Sequence, residues 1–173
     1  MKINFLILML IISLTALWTF RSNTRAPNAI QIDRERIPNF TYKDHTGKTN
    51  KLHNHEGKII FLHFWATWCA PCLAELPELI KLTKRNQNNL IVLAISKDKN
   101  KEDMIGFINQ LDIPLPENIK FIFDDNYRIS EGIFNIEKLP ETIIVNTDLA
   151  VQEKIIGAED NWNTQKWMRK IAQ

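Results

Sequence analysis

Phe64-Trp65-Ala66-Thr67-Trp68-Cys69-Ala70-Pro71-Cys72 (FWATWCAPC) holds both cysteines of the 173-residue chain. They are three apart and follow the apolar run Lys58–Trp65 (KIIFLHFW). So continuous a run suits a central strand buried on both faces. After the pair, Pro71–Arg85 has helical spacing, with Leu73, Leu76, Ile80 and Thr83 on one stripe and Leu79 and Leu82 beside it. The cysteines therefore stand where a strand ends and a helix begins. Cys69 would meet the free N–H groups and positive dipole end of the helix, which favour a thiolate. Cys72, one turn on, would be more buried. The expected roles are Cys69 as nucleophile and Cys72 as resolving thiol. Pro71 suits a first helical turn, where a missing N–H costs nothing.

Working outward, Phe40–Leu52 reads as two short strands around a turn at His45–Gly47. Leu90–Ser96 (LIVLAIS) is a second buried strand, and Lys101–Leu111 an amphipathic helix with Met104, Phe107, Ile108 and Leu111 inward. Ile119–Asp124 is a short strand and Tyr127–Gly132 a short helix. Thr142–Asn146 and Val151–Gly157 make a hairpin around Thr147-Asp148. Asn161–Ala172 closes as a helix, with Trp162, Met168 and Ile171 as core contacts. Strands alternating with helices indicate an α/β fold, a sheet sandwiched by helices.

A net charge of +2 is too mild to argue for a nucleic-acid partner, and no basic stripe or phosphate-binding glycine loop occurs. The cysteine pair itself admits three chemistries. Zinc would need two further ligands, drawn from His45, His53, His55 and His63, at spacings that match no familiar finger. A purely structural disulfide across so small a loop would constrain the unfolded chain little. Dithiol–disulfide exchange needs a nucleophile at a helix start with a second thiol behind it, and the placement favours this reading. No metal and no cofactor is expected.

Residues 1–20 include the apolar run Ile3–Phe20, whose polar members are Asn4, Ser13, Thr15 and Thr19. As a helix it would span roughly 27 Å, enough for a bilayer core. An uncleaved anchor is expected, with a cleaved signal as the rival; bulky Leu17, Trp18 and Phe20 fill the place of a small-residue cleavage site. Lys2 before the run and Arg21 and Arg25 after it would, alone, leave the domain in the cytoplasm. A CxxC domain on an anchor serves an oxidising compartment better, so the expected location is outside. Residues 21–37 read as a linker and residues 38–173 as one domain.

FWATWCAPC resembles the active-site motif of thioredoxin-fold proteins, and more narrowly that of the membrane-anchored TlpA/ResA-like reductases, the group that includes the cytochrome c maturation thioredoxins. The likeness runs from about Pro38 to the C-terminus. Pro77, five residues after Cys72, stands where thioredoxins kink this helix. Glu75, six after Cys69, stands where the family carries a glutamate linked to its redox chemistry. Leu139–Thr142 (LPET) resembles the segment whose cis-proline faces the disulfide, and Gly157-Ala158 the turn after the last strand. The unit Lys101–Asp124 fits as the subgroup's inserted helix and strand. The implied architecture is a thioredoxin fold: a central mixed sheet flanked by helices, with an N-terminal hairpin. Two departures stand out. Asn135 and Lys138 occupy positions that are often glycine, and His63 replaces a buried aspartate or asparagine.

The resemblance makes Pro140 cis and aims the Leu139 backbone at the sulfurs, where it would hold a substrate strand; on its own, Pro140 is an ordinary first residue of a strand. Glu75 is either a solvated helix carboxylate or the group that exchanges a proton with the buried thiol. His63 is either a satisfied core histidine or a proton relay beneath Cys72. Trp68 is either core or a flat apolar surface beside the sulfurs, and His45, His53 and His55 read as surface loop residues.

Ala70 and Pro71 put no polar group between the cysteines, so a reductant is favoured over a strong oxidant. The resulting expectation is a membrane-tethered thiol–disulfide oxidoreductase on the outer side of a bacterial inner membrane. It would reduce protein disulfides, apocytochrome c first among them, and be recharged by an integral membrane electron donor. The alternatives are a periplasmic oxidant or isomerase, and a membrane-anchored metallochaperone using Cys69, Cys72 and histidine.

Overall fold

A computed structural model describes residues 36–172. The expected anchor and nearly all of the linker lie outside these residues, as does Gln173. Among the described residues no helix is long and apolar enough to cross a membrane.

The first elements of the described residues are an antiparallel hairpin, β1 (Thr41–Lys43) and β2 (Thr49–Lys51). Gly47 turns it with φ +89°, a region open to glycine. A 3-10 turn, Leu52–His55, leads to β3 (Ile59–Trp65), in which every residue is buried. Helix α1 (Ala70–Arg85) follows, then β4 (Leu90–Ser96), α2 (Lys101–Gln110) and β5 (Ile119–Phe123). The hairpin of β6 (Glu141–Val145) and β7 (Val151–Ile156) precedes the last helix, α3 (Gln165–Ile171). One sheet runs β5-β4-β3-β6-β7, with β3, β4 and β5 parallel and β6 and β7 alternating in direction. Central β3 and β4 are apolar apart from His63 and Ser96 because both of their faces are covered.

Alternate residues of β3 serve two cores. Phe61 and Trp65 face Leu76 and Leu79 of α1, Met104 of α2 and Trp167 of α3. Ile60, Leu62 and Phe64 face Phe40 and Tyr42 of the first hairpin and Ile129 and Ile136. The core residues of α1, α2 and α3 lie on the first side, so the mixed sheet is flanked by these three helices. Its other face is closed by the hairpin and by turns. The domain also reaches back to Ile37, which is buried and donates its N–H to Leu149 O at 2.7 Å.

The short helix expected over Tyr127–Gly132 is absent. A 3-10 turn at Asp125–Tyr127 gives way to a string of turns. Asn126 and Tyr127 take φ values of 53° and 54°, which a right-handed helix cannot accept. The buried Asp124 carboxylate instead accepts from Ile129 N at 2.8 Å and Ser130 N at 2.7 Å. Helix α3 starts at Gln165, not Asn161, because the Asn161 side chain accepts from Asn163 N and holds a turn there. The later start turns Trp167 fully inward and leaves Met168 half-buried.

Candidate active site

Cys69 is the N-cap of α1, with extended backbone, and its carbonyl accepts from Leu73 N at 3.1 Å. Ala70 and Pro71 form the first turn and both are exposed. Cys69 and Cys72 are joined in a disulfide. Cys69 keeps a small exposed surface, 6%, whereas Cys72 has none. That asymmetry is what a nucleophile and a resolving thiol require. Trp68 is 66% exposed, so it is not a core residue. Further along α1, Pro77 has no N–H to give to the Leu73 carbonyl.

The loop between β3 and α1 is tied down by a residue that the motif does not reveal. Asp98, buried just past the end of β4, accepts from both Thr67 N (2.9 Å) and Thr67 Oγ1 (2.7 Å). Its second oxygen accepts from Ser96 Oγ at 2.7 Å. These charge-assisted bonds fix the residue that precedes Trp68.

Leu139–Pro140 is a cis peptide. The register pairs Glu141 with Phe64 across antiparallel strands, which sets Pro140 level with Trp65, at the sheet end from which the cysteine loop leaves. Pro140 is buried, and its carbonyl accepts from Gly157 N at 2.9 Å. Half-buried Leu139 packs against the core that contains both cysteines. The next residue, Glu141, is buried and paired with Lys154 Nζ at 2.6 Å.

Beneath Cys72, Glu75 lies on the same helix face, one turn on. It is buried rather than solvated. Its Oε2 accepts from Glu159 N (2.9 Å) and Trp162 Nε1 (3.1 Å). Burial raises its carboxyl from 4.5 to about 7, although those two bonds pull the other way. Oε1 has no partner and lies 3.8 Å from His63 Nε2. His63 is wholly buried, its Nδ1 2.9 Å from Thr142 Oγ1. Burial lowers His63 to about 3, so the ring is neutral and its contact with Glu75 is not an ion pair.

His45, His53 and His55 are not free loop residues. His55 Nε2 is 2.6 Å from Tyr42 Oη, His53 Nε2 is 3.0 Å from Ile37 O, and His45 Nδ1 accepts from Phe121 N at 3.3 Å. All three are half-buried. Among the described residues no group of three or more His, Cys, Asp or Glu side chains is gathered to hold a metal ion.

The sequence motif thus led to Cys69, Cys72, Glu75 and His63, which the fold brings to one place. It missed Asp98, Thr142, Trp162 and the Glu159 amide. An acidic residue just past a buried strand's end, as in Ser96-Lys97-Asp98, was the available signal for the first.

The AhpC/TSA family model matches residues 34–154. Thiol-disulfide oxidoreductase ResA of Bacillus cereus is 32% identical over 143 residues, 82% of this chain and 79% of that one. Among solved structures, a Chlorobium tepidum protein described as a thiol:disulfide interchange protein DsbE superposes with a TM-score of 0.68 at 21% identity, over 80% of this chain and 94% of that one. The exposed lipoprotein thioredoxin Etrx1 of Streptococcus pneumoniae gives 0.65 at 21% identity, over 78% and 98%. These likenesses show the thioredoxin fold.

Proposed function

Since the chain belongs to the AhpC/TSA family and is a thiol–disulfide oxidoreductase of thioredoxin fold, we propose that it reduces protein disulfides outside the cytoplasmic membrane. Cys69 attacks and Cys72 resolves. The observation that carries this reading is the asymmetry of the pair: Cys69 sits at the rim of the α1 N-terminus, and Cys72 is sealed above a carboxyl raised to about 7.

In the reduced protein the Cys69 thiolate attacks one sulfur of a client disulfide and forms a mixed disulfide, while the other client sulfur leaves. Cys72 then passes its proton to Glu75 and attacks Cys69 Sγ. The second client sulfur leaves, and the Cys69–Cys72 disulfide remains. Two electrons from a membrane-embedded donor restore the dithiol. Leu139 and Pro140, at the same sheet end, hold the client strand, and Trp68 and Pro71 offer it an apolar surface. Ile3–Phe20 tethers the domain to the membrane. Apocytochrome c is the leading client, on the resemblance to TlpA/ResA-like reductases.

Direction is the part most open to test. A strong oxidant stabilises its thiolate with polar groups around the pair, whereas Ala70 and Pro71 supply none. The Cys69–Cys72 potential, measured by equilibration with glutathione or a dithiol buffer, should lie nearer the thioredoxin value of about −270 mV than the DsbA value of about −120 mV. A potential at the DsbA end would make the protein a disulfide donor.

A further inference from the structure

We propose that His63 and Thr142 form an uncharged hydrogen-bond adaptor that serves Glu75 both as acid and as carboxylate. The inference rests on the proposed role of Glu75 as the group that exchanges a proton with Cys72. His63 Nε2 and Glu75 Oε1 face each other at 3.8 Å, both are buried, and neither has another partner. The distance is beyond a hydrogen bond. Buried polar atoms are nearly always bonded, so a small side-chain adjustment completes each with the other.

The behaviour follows from the groups available. A neutral imidazole has one N–H and one bare nitrogen, and a hydroxyl can donate or accept. When Glu75 is protonated, its Oε1–H donates to Nε2, and Nδ1–H donates to Thr142 Oγ1. When Glu75 is ionised, Nε2–H donates to Oε1, and the Thr142 hydroxyl donates to Nδ1. The imidazole holds one proton in both states and changes only which nitrogen carries it. The proton that Glu75 gains is the one that Cys72 loses, and the ring changes tautomer by giving its Nε2 proton to solvent and taking one at Nδ1, so that its own count is unchanged.

A charged imidazole is excluded by its surroundings, since His63 has no exposed surface and burial disfavours its cation. The other titratable groups around Glu75 are Cys72 on its own helix and Glu159 after β7, whose charge opposes ionisation of Glu75. Lys166 of α3 faces Glu159 at 3.6 Å. Glu141 does not belong to this set: it alternates with Thr142 along β6, and its side chain lies on the other face of the sheet. His63 is thus a positioning residue, acting on the reaction through Glu75.

The test is two-bond 1H–15N NMR of the His63 ring in the oxidised full chain, from about pH 5 to about pH 9, where an ordinary imidazole would lose its charge. The expected result is Nδ1–H on the acid side of the Glu75 titration and Nε2–H on the alkaline side, with no imidazolium. One tautomer throughout, or a charged ring, overturns the adaptor. A second readout is the pH dependence of the Cys69–Cys72 reduction potential, whose slope breaks at the midpoint of any group that titrates with the pair. His63→Leu offers neither donor nor acceptor, and a carboxylate loses more than a neutral acid when its donor is removed. The Glu75-linked midpoint should therefore rise by about one unit, a tenfold change in proton affinity. His63→Asn, which presents either an oxygen or an N–H, should restore it. Equal displacement by both variants would make His63 a space-filler. Loss of client reduction alone would count against the proposed function and leave the tautomer titration standing.

Discussion

Trp68 is 66% exposed, while Trp65, three residues earlier on the same passage from β3 to α1, is fully buried. The front of the site, Trp68 to Pro71, carries no charged side chain. The back, from Cys72 to Glu75, His63 and Thr142, is sealed and holds titratable groups in unusual states. In the proposed reaction a client meets an apolar face, and the proton is handled one helical turn beneath it. Because the two tasks are separated, they should fail separately when residues are changed.

The sharpest separation is between the cysteines. With Cys69 attacking and Cys72 resolving, Cys72→Ser should halt exchange at the mixed disulfide. Cells carrying it should accumulate thiol-sensitive adducts with clients and with the membrane donor, visible on non-reducing gels. Cys69→Ser should give few or none, since the remaining thiol has no exposed surface. Equal trapping by both variants would abolish the distinction between front and back. Adducts dominated by c-type cytochromes would identify the client, and a broad set of exported proteins would mark a general reductase.

A smaller effect, confined to the back, concerns stability and pH. Glu75 is held near 7 instead of 4.5. Between those values the unfolded chain gives up a proton that the folded chain keeps, so stability falls as pH rises. The loss amounts to about 3 kcal/mol above the folded value. His63, near 3 instead of 6.5, works in the other sense: its contribution is present above 6.5 and is lost as pH falls toward 3. The two slopes oppose each other between 4.5 and 6.5. Urea unfolding of Glu75→Gln against the parent chain should therefore show a difference that moves in the variant's favour from pH 5 to pH 8, with the acid limb kept. Parallel curves would mean that the Glu75 carboxyl titrates as it does in water.

What the sequence discloses follows the same division. Continuous apolar runs made β3 and β4 plain, and the cysteine spacing marked both the start of α1 and the inward direction of Cys72. Those signals are local. Glu75 is buried because Trp162 and the Glu159 amide arrive from some 84 residues away or more, and nothing in the helix itself shows this. Asp98 reaches Thr67 across 31 residues for the same reason. The segment after β5 misled because Ile129 and Gly132 mimic a helical turn. Its course is set by the Asp124 carboxylate and by Gly132, where an added Cβ would stand 2.6 Å from Arg128 O.

The mildest change belongs to the front. Trp68→Ala removes a side chain that is mostly in water, so stability should shift by no more than about 0.5 kcal/mol. A buried tryptophan truncated in the same way costs about 3–5 kcal/mol, which separates Trp68 from Trp65 by unfolding alone. The effect should appear instead in client binding. Exposed aromatic anchors contribute strongly once a partner covers them, so KM for a protein disulfide should rise about tenfold, equivalent to about 1.4 kcal/mol, with kcat little changed. Because Trp68 adjoins Cys69, the variant should also lose most of the change in tryptophan emission that accompanies reduction of the pair. If KM holds and kcat falls, Trp68 acts on the chemistry and the front is not merely a docking face. If emission still responds fully to reduction, Trp65 reports the disulfide from behind, and the boundary between front and back lies closer to the sulfurs than the exposures of the two indoles imply.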